Sequence, residues 1–231
     1  MNNRNGKRST GKLLLRVMKK TAVVMIILGA VIFLPAGSLR YWNGWLYIGS
    51  LLFLMIPAMI YMCRHNPQLI EKRLSINEKE KEQKVFVKLS VLLCFASFAV
   101  PGLDYRFGWS HVPFWLVMVS LLIMISAYGM FFIVMQQNRY ASRVIEIQDN
   151  HTLIDTGLYS VIRHPMYSSA LLLYGVSPLV MGSYYALIPL SFLPPLVVYR
   201  LINEEKFLMK ELPGYKEYMT RVKYRLIPFI W

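Results

Sequence analysis

Acidic residues are scarce in this chain. Twelve Asp plus Glu stand against 26 Lys plus Arg, and charged residues of both signs make up only 16%. A soluble domain of 231 residues usually carries about a quarter, so that class is disfavoured. Cysteine is scarcer still. Cys63 and Cys94 each fall in an apolar segment, so they read as packing residues rather than a disulfide. No cluster of potential ligands has metal-binding spacing, and no metal is expected. No nucleic-acid motif accompanies the net charge of +14. The basic residues flank apolar runs instead, which makes anionic lipid headgroups the expected partner and excludes nucleic acid. Internal repeats and low-complexity segments are also absent.

Apolar sequence is what the chain has in excess: 56% of residues, with a mean hydropathy of +0.42. Several runs approach or exceed the roughly 18–20 residues that span a bilayer. The expected fold is an all-α integral membrane protein forming one domain over 1–231. About six transmembrane helices are expected, near 21–39, 44–63, 87–103, 112–135, 166–182 and 184–202. A tight Gly182-Ser183 turn should fold the last two into a hairpin, bent by Pro178, Pro189, Pro194 and Pro195. Trp42 and Trp45 are expected interface anchors. Residues 1–20 form a basic segment without an acid. With Pro35-Ala-Gly-Ser38 they also allow a cleaved signal peptide, though a retained helix is the favoured reading.

Charge fixes the expected orientation. With both termini inside, every Lys and Arg except Arg40 and Arg106 falls on the cytoplasmic side. The protein is therefore expected in the cytoplasmic membrane. Residues 136–165 and 203–231 then share one face.

That face holds the chemistry. Asn150-His-Thr-Leu-Ile-Asp-Thr-Gly-Leu-Tyr159 is followed by Arg163-His164-Pro165-Met166-Tyr167, and Arg200-Leu-Ile-Asn-Glu204-Glu205 closes the last apolar run. Pro165 suits the first turn of a helix, so helix five should begin near it, with a short polar loop running back to a turn at Gly157. Amides at that helix start, an imidazole, a guanidinium and two phenols would converge at the membrane surface, where polar groups are costly unless they bind something. Each element has a plainer reading. Arg200 and Glu204, four apart, can be a salt bridge on a helix end. His164 and Tyr167 can be interface anchors. Their joint occurrence favours a site.

The pattern Gly157-x-Tyr159-x-x-x-Arg163-His164-Pro165-x-Tyr167, a membrane hairpin, Arg200-x-x-x-Glu204-Glu205-x-x-Leu208, then Tyr215-x-x-Tyr218-x-x-x-Val222, resembles the isoprenylcysteine carboxyl methyltransferase family. That family sits in a wider group of integral-membrane methyltransferases that includes phospholipid N-methyltransferases. The resemblance covers about 136–231, and Asn66-Pro-Gln-Leu-Ile-Glu-Lys-Arg73 looks like a loop of bacterial members. It implies S-adenosylmethionine as methyl donor in a cytoplasm-facing pocket, and a lipophilic acceptor. It also implies cofactor contacts at His151, Thr152, Leu153, Ile154, Tyr159, His164, Pro165, Met166, Tyr167 and Glu204, with Arg200 on the substrate side and Arg163 beside it in catalysis. Leu212-Pro-Gly-Tyr215 is one residue shorter than the family's turn, which leaves open whether Glu204 or Glu205 faces the cofactor. A carboxylate acceptor of prenylcysteine type leads; a phospholipid amine is the alternative, and a transporter or scaffold is the non-enzymatic one.

Overall fold

The computed structural model describes residues 2–74, 81–138, 140 and 152–231. The described residues form an antiparallel assembly of helices without a strand. Helix α1 (Asn2–Ala36) leads through a short turn into α2 (Trp42–His65). A short α3 (Pro67–Leu74) follows, with Pro67 opening it, where the Asn66–Arg73 stretch was expected to be a loop. Then come α4 (Lys81–Phe107), α5 (Phe114–Gln137), a 3₁₀ turn (Gly157–Ser160), α6 (Pro165–Val180), α7 (Leu187–Leu190), α8 (Leu193–Glu211) and α9 (Tyr215–Arg221).

Four of these are long and apolar enough to cross a membrane: Gly11–Ala36, Trp42–His65, Lys88–Phe107 and Phe114–Gln137. Only 6% of the α1 span is buried. Side chains such as Ile26, Leu34 and Phe53 stand outward, which is stable against lipid and unfavourable against water. The protein is an integral membrane protein. Helix α4 lies close along α1, because Gly102 presents no side chain; a Cβ there would run into the Ile32 carbonyl.

The last apolar stretch departs from expectation. A continuous helix over 184–202 is replaced by α7, a break at Ser191 and Phe192, and α8, which runs on to Glu211. Pro194 and Pro195 explain the break: they lack amide protons, so they fit the first turn of α8 and not the interior of a longer helix. The connection after α6 is also longer than a two-residue turn, spanning 181–186. Leu190, Leu193 and Val197 nevertheless pack on Tyr167, Leu171 and Tyr174, so the last elements fold back on α6.

Tertiary bonds define the bundle's two ends. At one end Asp104 is buried and accepts bonds from the Ser110 amide (2.7 Å) and from the Ser110 and Ser183 hydroxyls. Beside it the Tyr41 hydroxyl bonds the Met181 carbonyl and the Asn43 amide bonds that of Val180 (3.1 Å). Trp42, Trp45 and Trp109 are part-exposed at this end, as interface anchors are. At the other end Met62, Leu69, Met135 and Met166 form one cluster, and residues 152–167 meet 203–226. Arg40 and Arg106 belong to the Asp104 end; the cations of α3, of 163 and of 200–225 belong to the other.

Candidate active site at one end of the bundle

The loop 157–164 is set by local chemistry. Gly157 adopts φ +61, a conformation that costs a side-chain-bearing residue, and its missing Cβ leaves room for the Gln137 side chain. Gln137, the last residue of α5, then accepts a bond from the Leu158 amide at 3.1 Å. Asn138 donates to the Tyr159 hydroxyl at 2.8 Å. Burial pushes the Tyr159 phenol up to about 12, so it stays protonated at neutral pH. Helix α6 starts at Pro165, as expected from proline's fit to a first turn.

Glu205 is the electrostatic centre. It is 3% exposed, and its Oε1 receives Arg163 Nε at 2.7 Å and lies 3.2 Å from His164 Nε2. Its Oε2 receives Arg225 Nε at 2.9 Å. Burial alone would raise the carboxyl. Hydrogen bonds from His164, Arg225 and Arg163 outweigh that and hold it down at about 2.

The same groups grip the backbone of 222–226. Arg163 Nη1 donates to the Val222 and Lys223 carbonyls at 2.8 and 3.1 Å. The Arg163 and His164 amides donate to the Tyr224 and Arg225 carbonyls, both at 2.9 Å. Ser168 Oγ donates to the Leu226 carbonyl at 2.6 Å. Residues 222–226 are thus strapped across the start of α6. Helix α9 completes a roof: Leu212, Tyr215, Tyr218 and Val222 pack with Leu153, and the Tyr218 hydroxyl bonds the Tyr159 carbonyl at 2.7 Å. Arg221 pairs with Asp155 at 2.8 Å on the outside.

Glu204 faces another partner. Its Oε2 accepts the Tyr167 hydroxyl proton at 2.6 Å, and the Tyr167 oxygen accepts Arg200 Nε at 3.0 Å. Both acids therefore turn inward, Glu204 towards Tyr167 and Arg200, Glu205 towards Arg163 and His164. Two buried donors nearby lack a hydrogen-bond partner among the described residues, the Tyr215 hydroxyl and the Asn203 side-chain nitrogen. Burial raises the Tyr215 phenol, helped by the neighbouring Glu205 and Glu204 carboxylates.

Of the other residues singled out, Thr152 is exposed beside Tyr140, with 3.4 Å between hydroxyls, and Ile154 is half-buried. Pro165 is buried, and Met166 takes Arg73 Nη1 at 3.9 Å from its sulfur. His151 lies outside the described residues. Sequence reasoning missed Arg225, Gln137, Asn138 and Ser168. Arg73 stood in a noted loop without a role. No local spacing marks Arg225, because its partner is met only after the strap folds back.

Part of this site lies in a stretch that aligns with a known family. Residues 118–210 match the model of the isoprenylcysteine carboxyl methyltransferase (ICMT) family. The ICMT match runs from within α5 almost to the end of α8 and contains Tyr159 through Tyr167, Arg200 and both acids. It stops short of the α9 roof and the strap. ICMT proteins are membrane-bound methyltransferases, and four apolar helices agree with that setting. No curated protein matches this chain.

Proposed function

We propose that the protein transfers the methyl group of S-adenosylmethionine to a carboxylate on a lipophilic acceptor, of prenylcysteine type, at the cytoplasmic face of the membrane. The observation that carries this reading is the Arg200–Tyr167–Glu204 chain inside the ICMT segment, under a roof of 212–226. On this reading the last two apolar elements, α6 and α7–α8, complete six passes.

The residues present fit the cofactor. Glu204 offers an anion for a sulfonium or ammonium, and Tyr159 and Tyr167 offer aromatic faces. The partnerless Tyr215 hydroxyl and Asn203 amide are donors that a polar ligand would satisfy. When bound, S-adenosylmethionine supplies an electrophilic methyl for in-line displacement. The chain's part is to align, to bind charge and to exclude water. Arg200 would orient an acceptor carboxylate and keep it ionised. Arg163 would hold the strap shut above the site.

An amine acceptor would need a base to take its proton. Glu205, held at about 2, is too weak a base, and His164 is buried against it. That favours the carboxylate over the phospholipid amine. A transporter or scaffold reading leaves the ICMT segment and the orphan donors without a use. The test is calorimetric titration of the purified protein with S-adenosylmethionine, then methyl-transfer assays on isoprenoid acids and on phosphatidylethanolamine. Saturable binding with transfer to the acid is expected; no binding would overturn the reading.

A further inference from the structure

Residues 226–231 close a small loop that the reaction does not use. The Leu226 and Ile227 amides both bond the Trp231 carbonyl, at 2.9 and 3.1 Å, and the Trp231 amide bonds back to Ile227 at 3.1 Å. Phe229 is turned out at φ +64, a conformation a bulky residue holds only when its surroundings over-determine it. The result is an apolar tip: Ile227 is 52% exposed, Ile230 76% and Phe229 86%. In water such a tip is unfavourable.

The loop's depth is fixed. Leu226 is bonded to Ser168, in the first turn of α6, and Tyr224 and Arg225 to the two residues before that helix. Helix α6 packs on α5, a membrane span whose last residue, Gln137, bonds the loop before α6. The tip is therefore level with the end of a span, where the bilayer's interfacial layer lies. Just before it come Lys216, Arg221, Lys223 and Arg225, with Glu217 the one acid among 216–225; Arg221 is paired with Asp155 and Arg225 with Glu205, so the exposed Lys216 and Lys223 carry the charge that faces headgroups. Apolar tip and basic collar match the two layers of an anionic leaflet, tails and headgroups.

We infer that the 226–231 loop is a membrane wedge, seated in the leaflet on the site's side, and that its seating holds the strap closed. The link is Arg225, whose guanidinium lies 4.9 Å from the Trp231 ring centre and bonds Glu205 at 2.9 Å. Lipid contact on one side of Arg225 and the Glu205 cluster on the other hold the same segment. The inference rests on the bilayer placement and not on methyl transfer, so its test reads no activity.

The test uses the full chain with Cys63 and Cys94 replaced by Ala, in vesicles of phosphatidylcholine with and without phosphatidylglycerol. A cysteine at Phe229 (Phe229→Cys), or at Ile230 if that protein fails to fold, carries an environment-sensitive fluorophore; Thr220→Cys is the exposed comparator. The expected result is protection of the 229 probe from iodide relative to 220, with strong quenching by nitroxides on the lipid acyl chains and a larger blue shift with phosphatidylglycerol. Iodide access equal to that at 220 overturns the wedge. So does a probe shielded from both quenchers, which means a protein surface covers the tip. The double variant Phe229→Asp, Ile230→Asp should keep the spans inserted and speed hydrogen exchange at the Arg163 and His164 amides. Unchanged exchange there overturns the coupling to the strap.

Discussion

Arg163 and Glu205 are 42 positions apart and meet at 2.7 Å, both almost fully buried. Arg163 lies two residues before α6 and Glu205 lies in α8, so their contact ties the start of α6 to α8. Removing one member leaves a buried charge without its partner, which costs about 3–5 kcal/mol. Glu205→Ala should therefore lower the melting temperature in detergent and expose 222–226 to protease. Glu205→Gln keeps the shape and should do less.

The same carboxyl sets a pH dependence. Its folded value, about 2, lies below the ordinary 4.5. Its stabilising contribution is thus complete above about pH 4.5 and is lost as pH falls through 2. Protease resistance of the strap, followed between pH 8 and pH 2, should show no loss from Glu205 above 4.5. Glu205→Gln should remove the low-pH step attributable to this group.

Gly157→Ala should damage the loop through two separate effects. A left-handed conformation costs an L-residue about 1–2 kcal/mol, and the new methyl strikes Gln137. Adding Gln137→Ala should relieve the second effect and not the first. Thermal melts of the single and double variants check this, and full rescue would refute the conformational part.

Arg200→Lys separates the roles of the Arg200–Tyr167–Glu204 chain. A lysine loses the planar two-pronged contact to a carboxylate. Charge-assisted bonds contribute about 1.5–3 kcal/mol, equivalent to a roughly tenfold to hundredfold fall in kcat/KM at about 1.4 kcal/mol per decade. S-adenosylmethionine affinity should be largely spared and transfer should fall. Loss of cofactor affinity alone would put Arg200 in the cofactor site and remove the case for an acidic acceptor.

Orientation is tested by reporter fusions. Those after residues 75, 150 and 231 should read cytoplasmic, and one after 107 should not, because the charge bias assigns Arg40 and Arg106 alone to the opposite side. A non-cytoplasmic signal at 150 would separate the two halves of the site.

What could be read in the sequence was local or periodic. Pro165 announced the start of α6, Gly157 the turn before it, and the apolar runs the four long spans. The break between α7 and α8 was missed although Pro194 and Pro195 were noted, because hydropathy runs through prolines without registering their missing amides. Both acids of 204–205 were noted, but their division between Tyr167 and the Arg163–His164 pair depends on the rotation of α8 against α6. Arg225 was invisible for a similar reason: its significance comes from a strap that folds back over 20 positions to reach Glu205.

The Asp104 knot bears on how the site could be loaded. It fastens the far end of α6 to α4 through Ser183, and Tyr41 and Asn43 add a second fastening from α2. Helix α6 is also packed on α5, so it is held at both ends and along one side. On the proposed function, S-adenosylmethionine would enter past the leaf formed by α9 and 222–226. That leaf is attached through Leu212-Pro213-Gly214, where Gly214 stands at φ +81. Glu205, through Arg163, His164 and Arg225, is what ties that leaf down to the start of α6.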